Sequence, residues 1–185
     1  MKSMHYNHCS RGFTLLELMV TLLIVSILAG IAAPSLSNLV SQSQIVAARD
    51  SLANAIMMAR SEAVFGKQPV TICASTNQQS CSGGGDWDSG WIIFTDEAPT
   101  GSIEGDDELI DVSYGSGNVL VGAGDDVDAI TFLATGMRDI AGGANVITIG
   151  ICDYDGDEAI EGKALSVGLT GSLSYADSDD AGCGS

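Results

Sequence analysis

The sequence predicts an α+β protein in which a long N-terminal helix packs its second half on a β-rich, antiparallel globular domain. Three observations predict it. Residues 13–33 form an almost uncharged apolar run, and residues 35–65 carry apolar side chains at helical spacing. Beyond Gln68 the chain breaks into short apolar runs separated by Gly, Asp, Asn and Ser. At 185 residues and 19.0 kDa there is room for one ordinary domain plus an extension.

The first element is the apolar run FTLLELMVTLLIVSILAGIAA, residues 13–33, whose one charge is Glu17 and which stops at Pro34. As a helix it is roughly 30 Å long, the thickness of a bilayer core. Residues 1–12 ahead of it carry Lys2 and Arg11 and no acid, so the basic end is expected on the cytoplasmic side and the rest outside. A secretory signal cut near Ala29-Gly30-Ile31-Ala32-Ala33 and a plain membrane anchor are the simpler alternatives. Glu17 is costly one turn into an apolar helix and calls for a cationic partner; snorkelling to the headgroups is the other way to satisfy it.

The second element, residues 34–66, is amphipathic. Ile45, Leu52, Ile56, Ala59 and Ala63 recur at spacings of seven, four, three and four, which puts them on one stripe, while Ser43, Gln44, Asp50, Ser51 and Asn54 fall on the other faces. Pro34 removes a backbone hydrogen bond and is expected to kink the helix. Gly66 is the expected stop, with Pro69 just beyond it.

The third element is the globular domain of residues 67–185, with candidate strands at 69–75, 89–95, 109–113, 118–122, 127–133, 145–151, 163–169 and 171–175. Trp91, Ile93 and Phe132 are expected in its core. Residues 69–185 hold 21 acids against Arg138 and Lys163, a net charge of −19. A surface so acidic repels phosphate backbones, so no direct nucleic-acid binding is expected. Both histidines, His5 and His8, precede the apolar run. Removal of that segment would leave Thr71, Ser75 and Ser89 with no imidazole to activate them, so no enzymatic role and no cofactor are expected.

The junction Arg11-Gly12-Phe13-Thr14-Leu15-Leu16-Glu17 resembles the class III signal of type IV pilins and type II secretion pseudopilins. Met58-Ala59-Arg60-Ser61-Glu62-Ala63, Val70-Thr71-Ile72-Cys73, Trp87, Gly90-Trp91-Ile92-Ile93-Phe94-Thr95-Asp96 and Ile130-Thr131-Phe132 with Gly136 narrow the resemblance to the GspH/FimT family of minor pilins and pseudopilins. The resemblance implies a pilin-like fold and a leader, residues 1–12, removed by a prepilin peptidase after Gly12. It further implies methylation of the new N-terminal Phe13, an assembly role for Glu17 opposite a neighbour's α-amino group, and a helix kink at Pro34. The implied partners are other pilins or pseudopilins, through helix bundling, and the inner-membrane assembly platform. The implied location is the inner membrane, spanned once, with the C-terminal domain in the periplasm and the subunit incorporated into a pilus or pseudopilus. In some members a C-terminal Gly-Arg-x-Arg turn is associated with DNA binding. The corresponding turn here, Gly171-Ser172-Leu173-Ser174, has no base, and Arg138 stands beside Asp139.

Cys9 lies in the leader, so Cys73, Cys81, Cys152 and Cys183 remain in an oxidising compartment. Four cysteines allow three connectivities. The local choice, Cys73–Cys81 with Cys152–Cys183, is the expectation. Asp153, Asp155 and Asp157 alternate as calcium ligands do, but Gly156 is misplaced for an EF-hand loop, and a solvated acidic hairpin tip is the plainer reading, with no metal. Two functions stay open: a pseudopilus component in type II protein export, or a minor pilin that primes or decorates a type IV pilus for adhesion, motility or DNA uptake.

Overall fold

The computed structural model describes residues 12–83, 85–115, 117–123, 127–140, 144–154 and 160–177, with the backbone alone at 31–36. The elements run α1 (Leu15–Gly66), β1 (Val70–Ala74), β2 (Gly90–Thr95), β3 (Leu109–Tyr114), β4 (Val119–Ala123), β5 (Ala129–Phe132), β6 (Val146–Asp153), β7 (Lys163–Gly168) and β8 (Leu173–Asp177). Each of the eight predicted strands is present, with ends shifted by a few residues. The chain divides into two compact units, Met1–Ser37 and Asn38–Ser185.

In the first unit the helix is apolar on every face: Leu15, Leu16, Met19, Leu22, Leu23 and Leu28 are all more than 60% exposed. The hydroxyls of Thr21 and Ser26 donate to the carbonyls of Leu18 and Leu23 at 2.9 and 2.8 Å, which satisfies them within the helix. Among the described residues no helix is both long and apolar enough to cross a membrane. The apolar side chains described there end at Gly30, so those of 31–33, the last of the apolar run, are not among them.

The second unit begins with the amphipathic part of α1. Ile45, Leu52, Ile56, Ala59 and Ala63 are at most 1% exposed, as their spacing predicts. Burying Leu52 and Ile56 contributes about 1.5–3 kcal/mol each before chain entropy is counted. The helix ends where predicted. Gly66 is its last residue, and it is Lys67, at φ 55°, that turns into the left-handed region and releases the chain toward β1.

Two four-stranded antiparallel sheets complete the unit, ordered β3-β2-β1-β5 and β4-β6-β7-β8. The first sheet turns Val70, Ile72, Ala74, Trp91, Ile93, Ile130 and Phe132 to the main core. The second turns Val119, Val121, Ile147, Ile149, Ile151, Leu165 and Val167 to it, and the helix stripe joins both sets. The opposite face of the first sheet is covered as well: Cys73, Ile92 and Phe94 are fully buried against Cys81, Ile103, Val112 and Ala129. Every residue of β1 and β2 is therefore buried, which is why their sequences, VTICA and GWIIFT, read as apolar runs with little alternation.

Candidate functional site

The N-terminal end is built by a helix cap. Thr14 directly precedes α1, and its Oγ1 accepts the backbone N–H of Glu17 at 3.3 Å. Thr-x-x-Glu is the capping-box pattern, in which a threonine oxygen takes an otherwise unpaired first-turn N–H and the acidic side chain favours the positive helix end. Glu17 thus supplies the capped N–H from its backbone, and its carboxylate stands in the first helical turn, where the positive helix end favours it. Phe13, ahead of the cap, is 75% exposed, and the space around Gly12 is open.

Cys73 and Cys81 form a disulfide, joining β1 to the loop that follows it. That loop is held from within. The Ser75 hydroxyl donates to the Ser80 carbonyl at 2.7 Å, and Asn77 Oδ1 accepts the N–H groups of Gln79 and Ser80, both at 2.9 Å. Cys152 is also disulfide-bonded. Cys183, the partner expected for it, lies outside the described residues, as do Asp155 and Asp157. Asp153 ends β6. Among the described residues no three metal-ligating side chains gather.

Asp96, the last residue of the Gly90–Asp96 motif, organises one end of the first sheet. It is fully buried. Its Oδ2 accepts from Thr71 Oγ1 at 2.7 Å and from the Gly101 N–H at 3.0 Å, and its Oδ1 accepts the Thr100 N–H at 3.1 Å. Thr71 Oγ1 also lies 2.6 Å from Thr131 Oγ1, so the network crosses from β1 to β5. A buried carboxylate is tolerable when its lone pairs are filled in this way. Thr71 and Ser75, considered for nucleophilic chemistry, are both buried in hydrogen-bond networks of this kind.

Three bases have positions that local pattern did not reveal. Arg60 reaches from α1 and donates through Nε to the Gly136 carbonyl at 2.9 Å. It also sits where a side chain on Gly171 would go, since a Cβ there would stand 2.6 Å from Arg60 Nε. The β7–β8 turn, which carries no base of its own, therefore receives one from the helix. Arg49 pairs with Asp50 at 2.8 Å and lies over the Tyr175 ring at 4.9 Å, tying α1 to β8. Arg138 is only 4% exposed, and desolvation lowers its pKa from the ordinary arginine value. A side chain so enclosed is not presented to a phosphate backbone.

Trp87, fully buried, links the sheets: its backbone N–H donates to Val121 of β4 at 2.7 Å and its indole Nε1–H to the Val127 carbonyl at 3.0 Å. Trp91, Ile93 and Phe132 are core residues as expected. A capped, apolar N-terminal helix, followed by an amphipathic continuation seated on two antiparallel sheets, defines a pilin-like subunit, a minor pilin or pseudopilin. The model of the family "Type II transport protein GspH" matches residues 48–172, and the prokaryotic N-terminal methylation motif matches residues 7–33. The chain belongs to the GspH family.

Two crystal forms of the type IV minor pilin FimU of Pseudomonas aeruginosa share its fold. One has 23% identity and a TM-score of 0.52 over 73% of this chain and 94% of FimU. The other has 22% identity and a TM-score of 0.55 over 75% and 92%. The minor pseudopilin EpsH of the Vibrio cholerae type 2 secretion system is similar at 11% identity and a TM-score of 0.48, over 72% of this chain and 97% of EpsH. Among curated protein sequences none matches.

Proposed function

We propose that this chain is a minor pseudopilin of a type II secretion pseudopilus, contributing to protein export across the outer membrane. The observation that carries the reading is the match of residues 48–172 to a type II transport family behind an N-terminal methylation motif at 7–33. In this reading a prepilin peptidase cuts after Gly12 and Phe13 is methylated. Residues 13–33 hold the subunit in the bacterial inner membrane, with the globular domain in the periplasm. Their apolar surface then packs among neighbouring helices when the subunit is extracted into the filament by the assembly platform. Glu17, the single charge of that surface, sets axial register by pairing with a neighbour's α-amino group, since an ion pair is strongest and most directional where water is excluded. Pro34 supplies the bend between the membrane part of α1 and the part seated on the sheets. The globular domain offers binding surface and has no assigned catalysis.

The second reading, a minor pilin that primes or decorates a type IV pilus, is favoured by the shared fold with FimU over 92–94% of that protein. Photo-crosslinking from Val20, 49% exposed on the apolar helix, separates the two. Capture of secretion pseudopilins supports the first reading, and capture of pilus minor pilins the second. An intact Met1 end with no filament partner overturns both.

A further inference from the structure

Arg138 is a buried cation that forms no ion pair among the described residues. Its Nη2 donates to the Ala144 carbonyl, and its backbone N–H donates to Leu169 at 2.9 Å. Among the described residues its Nε has no hydrogen-bond partner, and the salt bridges found join Arg49 to Asp50 and Lys163 to Glu161. A guanidinium stays charged in a protein, and burying it without a counter-charge costs several kcal/mol.

The same guanidinium lines a cavity of about 210 Å³ at the β5 edge of the first sheet. Val127, Ala129 and Ile147 give the cavity apolar walls, while Thr131, Arg138 and Asp139 supply its polar lining. Asp139 already has a partner of its own. Thr131 is held in place by the Thr71–Asp96 network, so this wall is preorganised. An apolar cavity of about 150 Å³ is large enough for benzene, so this one accommodates a compact organic acid.

We propose that this cavity is a binding site for a single carboxylate on a short apolar stem, with Arg138 as the group that recognises it. A planar guanidinium matches a carboxylate through paired N–H donors. The apolar walls suit the stem, and the acidic surface around the site disfavours ligands with several negative charges. The carboxylate comes either from a free small acid or from an Asp or Glu side chain of a protein that docks over the opening, where Ile140 is 51% exposed.

The test uses the full chain in detergent micelles and follows the arginine Nε–H resonances by NMR during titration with benzoate, and with benzamide as the neutral match. Benzoate should shift the Arg138 signal saturably, with a midpoint on the order of 1 mM, and benzamide should not. Ala144→Phe fills the cavity while retaining Arg138 and should abolish the shift. Arg138→Gln removes the charge and should do the same if it folds. Equal effects of benzoate and benzamide, a shift that never saturates, or an Arg138 Nε–H that exchanges magnetisation with a bound water undisturbed by benzoate would overturn the proposal. A photo-crosslinker at Ile140 in cells then identifies the source. An adduct on an acidic peptide assigns the carboxylate to a protein, and benzoate binding without an adduct assigns it to a small acid.

Discussion

Arg60 Nε donates to the carbonyl of Gly136 at 2.9 Å, fastening the end of α1 to the turn after β5. Both turns around this arginine depend on glycine, with φ of 76° at Gly136 and 72° at Gly171. A Cβ on Gly171 would lie 2.6 Å from Arg60 Nε and 2.8 Å from the Gly136 carbonyl oxygen. The arginine can swing away from such an intruder, but the carbonyl cannot. Gly171→Ala should therefore cost at least about 2 kcal/mol, from the left-handed backbone and the clash together. Arg60→Ala should cost about 1–2 kcal/mol, the loss of one charged hydrogen bond. The double variant should lose less than the sum, because both changes break the same contact. Urea unfolding monitored by tryptophan fluorescence reads all three, since Trp87 and Trp91 are 0% and 5% exposed.

Asp96 accepts three hydrogen bonds in a fully buried position. Asp96→Ala strands the Thr100 and Gly101 N–H groups and should cost about 3 kcal/mol or more. Asp96→Asn should be intermediate, because its amide keeps one acceptor oxygen but turns an NH2 toward donors. Thr71→Val should cost about 1–2 kcal/mol, since Asp96 retains its two backbone donors. Equal costs for Asp96→Ala and Thr71→Val would show that the carboxylate is not the centre of the network.

The Cys73–Cys81 bond closes a short loop, with a sequence separation of 8. Loop-closure entropy assigns such a cross-link about 2.5 kcal/mol. Cys73→Ala together with Cys81→Ala should lower stability by that amount, plus a packing loss because Cys73 is fully buried beside Ile92 and Phe94. A lower unfolding midpoint with a somewhat steeper urea slope is the expected signature, because the denatured chain without the cross-link is less compact.

Glu17 has a local and a proposed intersubunit role, and two substitutions separate them. Thr14→Ala removes the cap, should cost the helix about 1 kcal/mol, and should leave filament incorporation intact. Glu17→Gln keeps a side chain suited to the capping box but removes the charge, and should lose incorporation while helicity by circular dichroism is retained. Normal incorporation of Glu17→Gln would confine the residue to capping.

Much of this fold was legible because backbone geometry writes a period into the chain. The stripe Ile45, Leu52, Ile56, Ala59 and Ala63 is buried as its spacing implies, and the turn residues between apolar runs marked all eight strands. Less legible was how those strands pair. β5 adds to the free edge of β1 across 54 residues, and β4 leaves the first sheet to pair with β6. No periodicity records a partner, because strand order is settled by which buried faces and edges meet. The bases were harder still. Arg60, Arg138 and Arg49 are alike in sequence, and only their neighbours in space make one a clamp for two turns, one an enclosed cation and one a cover for Tyr175.

By itself, the sequence determined the helix and its polarity, the strand positions, the acidic character of the domain and the family resemblance. Each of these depends on residue type and on spacing within a few turns or a few strand residues. The tertiary structure alone decided the Asp96 network, the seating of Arg60 against Gly136 and Gly171, and the cavity beside Arg138. These join residues tens of positions apart, and their energies come from desolvation and close approach, which exist only after the sheets and helix have packed.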